Sequence, residues 1–108
     1  MEPRYLLENV LNNHIEKTNE IVSSAYKTLN LSDNDELNEI ENVVKNYFFN
    51  VNGQKKYKTV AYAAIFYVQK KSNPKLSVNY FHEASGIDSK CLKDCVKQIE
   101  NLESKFSD

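Results

Sequence analysis

The sequence predicts an all-α fold, a five-helix bundle around a central alanine-rich helix that ends in a helix-turn-helix. Glycine and proline occur only twice each in 108 residues, too rarely to punctuate a β-sandwich, which favours helices joined by short turns. Apolar residues recur at three- and four-residue steps along most of the chain. The length and apolar content suit one domain, residues 1–108, with a single modest core.

The first predicted helix runs from about Pro3 to Leu29. Pro3 suits a first-turn position, where its missing N–H costs nothing. The polar run EKTNE, residues 16–20, is a place where this block can divide, and residues 3–15 would then form an additional N-terminal helix. One long helix and two shorter ones are both compatible with the apolar spacing.

A connector, LNLSDN, separates this block from a second predicted helix at about 35–49. Ser32 or Asp33 is expected to cap it by accepting from its free backbone N–H groups. Acidic residues cluster in its first turns, where the helix dipole favours them. They are Asp35, Glu36, Glu39 and Glu41.

The third predicted helix, Thr59 to Lys71, is apolar nearly all round, which indicates a central position with neighbours on several sides. Its small residues Ala61, Ala63 and Ala64 allow other helices to approach closely. A buried strand is the alternative, because TVAYAAIFYV contains β-branched and aromatic residues. The alanines and the lack of a second strand argue against a strand.

Two shorter patterns complete the fold. Ser77 is expected to cap a fourth helix over residues 78–85, and Gly86 to end it. Asp88 or Ser89 caps a fifth helix, which runs to about residue 104. The residues predicted to face inward are Val78, Phe81 and Ala84 on the fourth helix, and Leu92, Cys95, Val96, Ile99 and Leu102 on the fifth.

Charge is distributed unevenly although the net charge is only -1. Residues 1–50 carry four basic against nine acidic residues, a net of -5, and residues 51–108 carry ten lysines against six acids, a net of +4. This asymmetry indicates an anionic partner for the second half of the chain. An uneven but merely solvated surface is the equally weighted alternative.

Few residues of the sequence suggest catalysis or metal binding. Cys91 and Cys95 lie one helical turn apart and, with only His14 and His82 as further ligands, are expected to be reduced, core or half-buried thiols. Glycine-rich phosphate loops and nucleophile elbows are absent from the sequence. His82 is expected on a helix surface. We therefore expect no enzyme, no cofactor, no metal and no small-molecule substrate.

The sequence shows no secretory signal and no membrane segment. MEPRYLLENV lacks an apolar stretch, and no run approaches the roughly 18 apolar residues of a membrane span. We expect an intracellular protein without a membrane partner, nuclear in a eukaryote and otherwise cytoplasmic.

The C-terminal part, SVNYFHEASGIDSKCLKDCVKQIENL, has the outline of a helix-turn-helix. In such a unit the first residues of the second helix approach base edges, here Asp88, Ser89 and Lys90, with Lys93 and Lys97 following on one face. Two amphipathic helices that simply pack together are the alternative, and the pattern alone favours that reading.

Longer segments resemble a known family. GQKKYKTVAYAAIFYVQKK, followed by KLSVNYFHEASGIDSKCLKDCVKQI, resembles a cyclin-type repeat of the transcription factor IIB family over about Ile15 to Leu102. The resemblance implies a cyclin-like fold and a DNA-associated role in transcription initiation. ASGIDSKCLKDCVKQIENL is also similar to the end of the sixth subunit of the origin recognition complex, which would imply replication. Family members usually carry two tandem repeats and a zinc ribbon, and this chain has one repeat and no ribbon.

The first functional hypothesis is binding of duplex DNA, together with other transcription or replication proteins. Residues 55 to 97 include nine lysines and three acidic residues, a net charge of +6. The region has no arginine, which predicts contacts with the DNA backbone and weak base specificity. A further lysine cluster, Lys70, Lys71 and Lys75, follows the central helix. The predicted nucleic-acid-binding residues are Lys55, Lys56, Lys58, Ser89, Lys90, Lys93 and Lys97.

The second hypothesis is a protein-interaction adaptor without nucleic acid. Asp35, Glu36 and Glu39 would form a docking face for a basic partner. Aromatic residues left on the surface would contribute to such an interface. The tyrosines that the pattern does not place inside are Tyr5, Tyr57, Tyr62 and Tyr80.

Overall fold

A computed structural model describes residues 3–51 and 56–106, with side chains for residues 9–51 and 56–105. The described residues form helices and no strand, so the all-α prediction is confirmed. The helices are α1 (Pro3–Thr28), α2 (Asn34–Asn50), α3 (Tyr57–Ser72), α4 (Val78–Ser85) and α5 (Ser89–Phe106). None of them combines the length and apolarity needed to cross a bilayer.

Helix α3 lies at the centre of the bundle and packs against each of the other four helices. Every residue from Thr59 to Phe66 is buried, and Ala61, Ala63 and Ala64 have no exposed surface. The central position predicted from the alanines is thus confirmed. Tyr62, which the pattern left undecided, is also buried, at 6% exposure.

Helix α1 is continuous through the polar run EKTNE, so residues 3–15 are its first half. Thr18, in the middle of that run, is fully buried, and its hydroxyl donates to the carbonyl of His14 at 2.7 Å. This bond satisfies the polar group inside the helix, which explains why the run does not interrupt α1.

In the connection from α1 to α2, hydrogen bonds satisfy backbone groups at the end of the first helix and at the start of the second. Asn30 takes a left-handed conformation, with φ at 60°, and donates to the carbonyl of Lys27, while the N–H of Leu31 donates to the carbonyl of Tyr26. This is the hydrogen-bond pattern that commonly closes helix C-termini. Asp33 then caps α2 by accepting from two backbone N–H groups, so of the two predicted caps Asp33 is confirmed.

The α4–turn–α5 pair follows the predicted boundaries closely. Ser77 caps α4, Gly86 ends it with φ at 76°, and the side chain of Asp88 accepts from the backbone N–H of Lys90. The prediction that Ala84 faces inward is wrong, since Ala84 is exposed and Ser85 is buried. Ser85 lies one turn after the buried Phe81, which places the two on one face.

The buried face of α5 is the predicted one. Leu92, Cys95, Val96 and Ile99 are buried, and Leu102 is half-buried against the core. Cys91 is exposed, so the prediction of two core or half-buried thiols holds only for Cys95. Cys91 lies at the margin of the apolar stripe, one residue before its first buried member, which leaves it in solvent.

Candidate nucleic-acid interface

A groove of about 500 Å³ lies between the C-terminal half of α3, the start of α4 and the outer face of α5. Lysines line it from both sides, Lys70 from α3 and three more from α5. The three on α5 are Lys90, Lys93 and Lys97. We call this feature the lysine groove, and its remaining lining consists of four apolar residues and two acids.

The α5 lysines share a face because they are spaced three and four residues apart on a helix. All three are exposed, and Val96 of the buried stripe of α5 lies beside them in the groove lining. Within the described side chains, Lys90, Lys93 and Lys97 have no carboxylate at ion-pair distance. Their charge is therefore available to an anionic partner.

Lys70 comes from the last turn of α3, where the helix dipole favours a cation. Its Nζ lies 5.4 Å from the centroid of the Phe66 ring, a cation–π distance that holds the side chain along the groove wall. Sequence reasoning named Lys70 only within a cluster after the central helix. The helical packing joins it to the α5 lysines.

The other predicted lysines lie elsewhere. Lys58 lines a separate depression between α1 and α3, with Glu20 and Tyr62. Lys56 is exposed at the N-cap of α3, and Lys55 lies outside the described residues. Along α3, Lys58 and Lys70 lie about 18 Å apart at roughly 1.5 Å per residue, so Lys58 is separate from the lysine groove.

Lys71 is already engaged within the chain. Its Nζ lies 2.8 Å from Oε2 of Glu39 and 4.7 Å from the Tyr67 ring centroid. The hydrogen bond with Glu39 is the main cause that raises the pKa of Lys71, with smaller contributions from Tyr67 and Glu103. Lys71 is thus partly neutralised, in contrast to Lys70. Lys75 is exposed in the connection between α3 and α4.

The acidic residues of α2 also make internal contacts. Oε1 of Glu36 accepts from the Tyr26 hydroxyl at 2.7 Å and from Nε2 of Gln69 at 3.0 Å. Glu39 pairs with Lys71, and Asp35 is exposed. The docking face predicted from Asp35, Glu36 and Glu39 stays a prediction, and two of its three carboxylates stabilise the bundle.

The tyrosines that were candidates for the surface differ in their exposure. Tyr80 is 50% exposed and packs edge-on against Phe81. Tyr57 is half-buried, and the side chain of Tyr5 lies outside the described ones. His82 is exposed as expected, and its Nδ1 is hydrogen-bonded to the carbonyl of Ile87 across the α4–α5 turn.

An aromatic cluster that sequence reasoning missed joins the first three helices. The His14 ring is hydrogen-bonded to the Tyr57 hydroxyl and stacks on Phe48 with centroids 5.7 Å apart. These residues lie up to 43 positions apart, and no short motif links them.

Among the described residues no group of three or more histidine, cysteine or acidic side chains is arranged to hold a metal ion.

Compared with known proteins, the chain matches no family model, no curated protein and no solved structure.

Proposed function

We propose that this chain is a non-enzymatic module that binds the backbone of duplex DNA through its α4–turn–α5 pair. The observation that carries the proposal is the row of unpaired, exposed lysines on α5, Lys90, Lys93 and Lys97, which Lys70 extends across the lysine groove. Together they form a positive surface on a chain whose net charge is only -1. Such a surface attracts polyanions through release of counterions.

The proposed role belongs to transcription initiation, in the manner of a cyclin-type repeat of the transcription factor IIB family. Support comes from the alanine-rich α3, which packs against all four other helices, and from the following helix, glycine turn and helix. A replication role like that of the sixth origin recognition subunit uses the same surface. With a DNA partner the chain would work in the nucleus of a eukaryote, or in the cytoplasm otherwise.

Contacts in this complex would go mainly to phosphates. The only arginine is Arg4, far in sequence from the α4–turn–α5 pair, so the bidentate contact that most often reads guanine is missing there. Ser89 and Lys90 at the start of α5 would lie nearest to base edges. Asp94, which lines the same groove, would repel phosphate and limit the affinity.

Anisotropy titration of a labelled 20-base-pair duplex tests the proposal. Four phosphate contacts predict an affinity that falls about 100-fold between 50 and 200 mM salt. Replacing Lys90 and Lys93 by glutamate should weaken binding strongly. Lys45→Glu, an equal charge change per residue at an exposed position on α2, is the control and should have little effect. Equal loss in both variants, or binding that does not respond to salt, would refute the proposal.

A further inference from the structure

The floor of the lysine groove is apolar. It is formed by the edges of the buried Phe66 and Val96 and by Leu76 and Val78, which are half-buried against the core. A phosphate backbone that contacts the lysines would leave this floor in water. Burying it requires a partner with apolar side chains, because removal of apolar surface from water is what stabilises such a contact.

A second depression adjoins the lysine groove. It has a volume of about 290 Å³, shares Lys70, Val96 and Glu100 with the lysine groove and adds Tyr67 and Lys71. The two together follow the junction of α3 and α5. On α5 the lining residues run from Lys90 to Glu100, about 15 Å at roughly 1.5 Å per residue, a length that suits a helix better than a compact small molecule.

The charge of the groove indicates which residues a partner would need on either side of its apolar stripe. Four lysines line the groove, Lys70 on one side and three on α5, against the two carboxylates of Asp94 and Glu100, which leaves it positive. Basic residues on the partner would meet these lysines at close range. Acidic residues on either side of an apolar stripe would complement both the rim and the floor.

We propose that the lysine groove docks an acidic amphipathic helix of a partner protein. Its apolar residues, spaced at i, i+3 or i+4 and i+7, would cover Leu76, Val78 and the edges of Phe66 and Val96. Aspartate or glutamate on its flanks would pair with Lys70 and the α5 lysines. This inference goes beyond DNA binding and has a consequence for it: the α5 lysines serve both partners, so the acidic helix and the duplex exclude each other.

A designed peptide provides the test. The probe is a fluorescein-labelled 16-residue helix with leucine and phenylalanine in one stripe and glutamate on both flanks. Its control is a peptide of the same composition with the stripe scrambled. We expect the scrambled peptide to bind at least tenfold more weakly. Equal binding of the two peptides would overturn the proposal, because charge alone would then explain the interaction.

Variants of the chain locate the site. The floor variant Leu76→Gln with Val78→Thr keeps side-chain size and should weaken probe binding at least tenfold, and more than it weakens duplex binding. Lys70→Glu, at an exposed position that remains informative if the floor variant unfolds, should also weaken the probe tenfold. Lys45→Glu should have no effect. Unchanged probe binding in Lys70→Glu or in a folded floor variant would overturn the proposal.

Competition separates this inference from the proposed function. Unlabelled 20-base-pair duplex should displace the probe from the wild-type chain. Simultaneous binding of probe and duplex would overturn the shared use of the α5 lysines. A chain that binds the probe in the floor-dependent manner but binds no duplex would support the docking site and refute the DNA proposal alone.

Discussion

The hydroxyl of Tyr26 on α1 donates a hydrogen bond of 2.7 Å to Oε1 of Glu36 on α2, and the same oxygen accepts from Gln69 on α3. One carboxylate therefore connects three helices. Burial is the main cause that raises the pKa of Tyr26, and the bond to Glu36 adds to it. This contact makes Glu36 a structural residue whether or not a partner also approaches α2.

Removal of this carboxylate should cost more than removal of its neighbour. Glu36→Ala removes the acceptor of the Gln69 amide and the nearer acceptor of the Tyr26 hydroxyl, which keeps the Asp33 carbonyl at 3.0 Å, and we expect the free energy of unfolding to fall by about 1–2 kcal/mol. Glu39→Ala breaks only the exposed pair with Lys71 and should cost less than about 1 kcal/mol. Urea denaturation measures both. A larger loss for Glu39→Ala would contradict the internal role of Glu36.

Alkaline pH should destabilise the fold through two tyrosines. Burial raises the pKa of Tyr26 and of Tyr47, whose hydroxyl donates to Oε1 of Gln98 at 3.1 Å. Both therefore stay protonated in the folded state at pH values where they ionise in the unfolded chain. Their contribution is complete below about pH 10, the pKa of tyrosine in the unfolded chain, and is lost as the pH rises above it.

Tyr47→Phe separates the two tyrosines. At pH 7 it should lose about 1 kcal/mol, because the hydrogen bond to Gln98 is removed. Above pH 10 its stability should decline less steeply than that of the wild type, since one raised pKa is gone. Urea midpoints measured from pH 7 to 11 give both quantities. Parallel curves for the two proteins above pH 10 would show that Tyr47 does not contribute.

Two residues with left-handed backbone should respond oppositely to alanine and glycine. The left-handed conformation costs an ordinary residue roughly 1–2 kcal/mol; Gly86→Ala adds a β-carbon there, and Asn30→Ala removes the short polar side chain that tolerates it, so we expect a loss of about 1 kcal/mol in each case. Nothing lies within 4 Å of a β-carbon at Gly86, so the cost there is one of backbone conformation alone. Asn30→Gly should cost nothing or stabilise. Thermal unfolding distinguishes these outcomes, and a destabilised Asn30→Gly would contradict the assignment.

Overpacking should be severe on α3 and absent on α4. Ala64 is fully buried at the centre of the bundle, and Ala64→Leu adds three carbons where no space is left, which should cost about 1–3 kcal/mol or more. Ala84→Leu makes the same change at an exposed helical position and should shift stability by no more than about 0.5 kcal/mol. Equal effects would mean that α3 is not packed on all sides.

Local signals predicted most of the fold. The alanines of α3, the cap at Ser77, the turn at Gly86 and the stripe on α5 depend on spacing and on single-residue chemistry, which the sequence displays directly. Ala84 was misplaced because an eight-residue helix offers too few apolar positions to set its register. The buried Ser85 compensates by donating to the carbonyl of Phe81, a bond that composition does not reveal.

The candidate site was less predictable. Helical spacing predicts that the α5 lysines share a face. Their proximity to Lys70 depends on how α3 and α5 pack, and no local sequence pattern encodes this packing. The same holds for His14 with Tyr57 and for Glu36 with Gln69, which lie 43 and 33 positions apart. Contacts of this range require the tertiary arrangement, and they decide which charged groups stay free for a partner.

The position of α3 has a consequence for how the chain opens. Because α1, α2, α4 and α5 all pack against this one helix, withdrawal of α3 removes packing from every other helix at once. Unfolding should then be a single cooperative event, with the slowest amide hydrogen exchange along residues 59–68. Helix α4, the shortest, packs mainly against α3 and α5 and should exchange first, so one side of the lysine groove would open locally while the rest of the bundle stays folded.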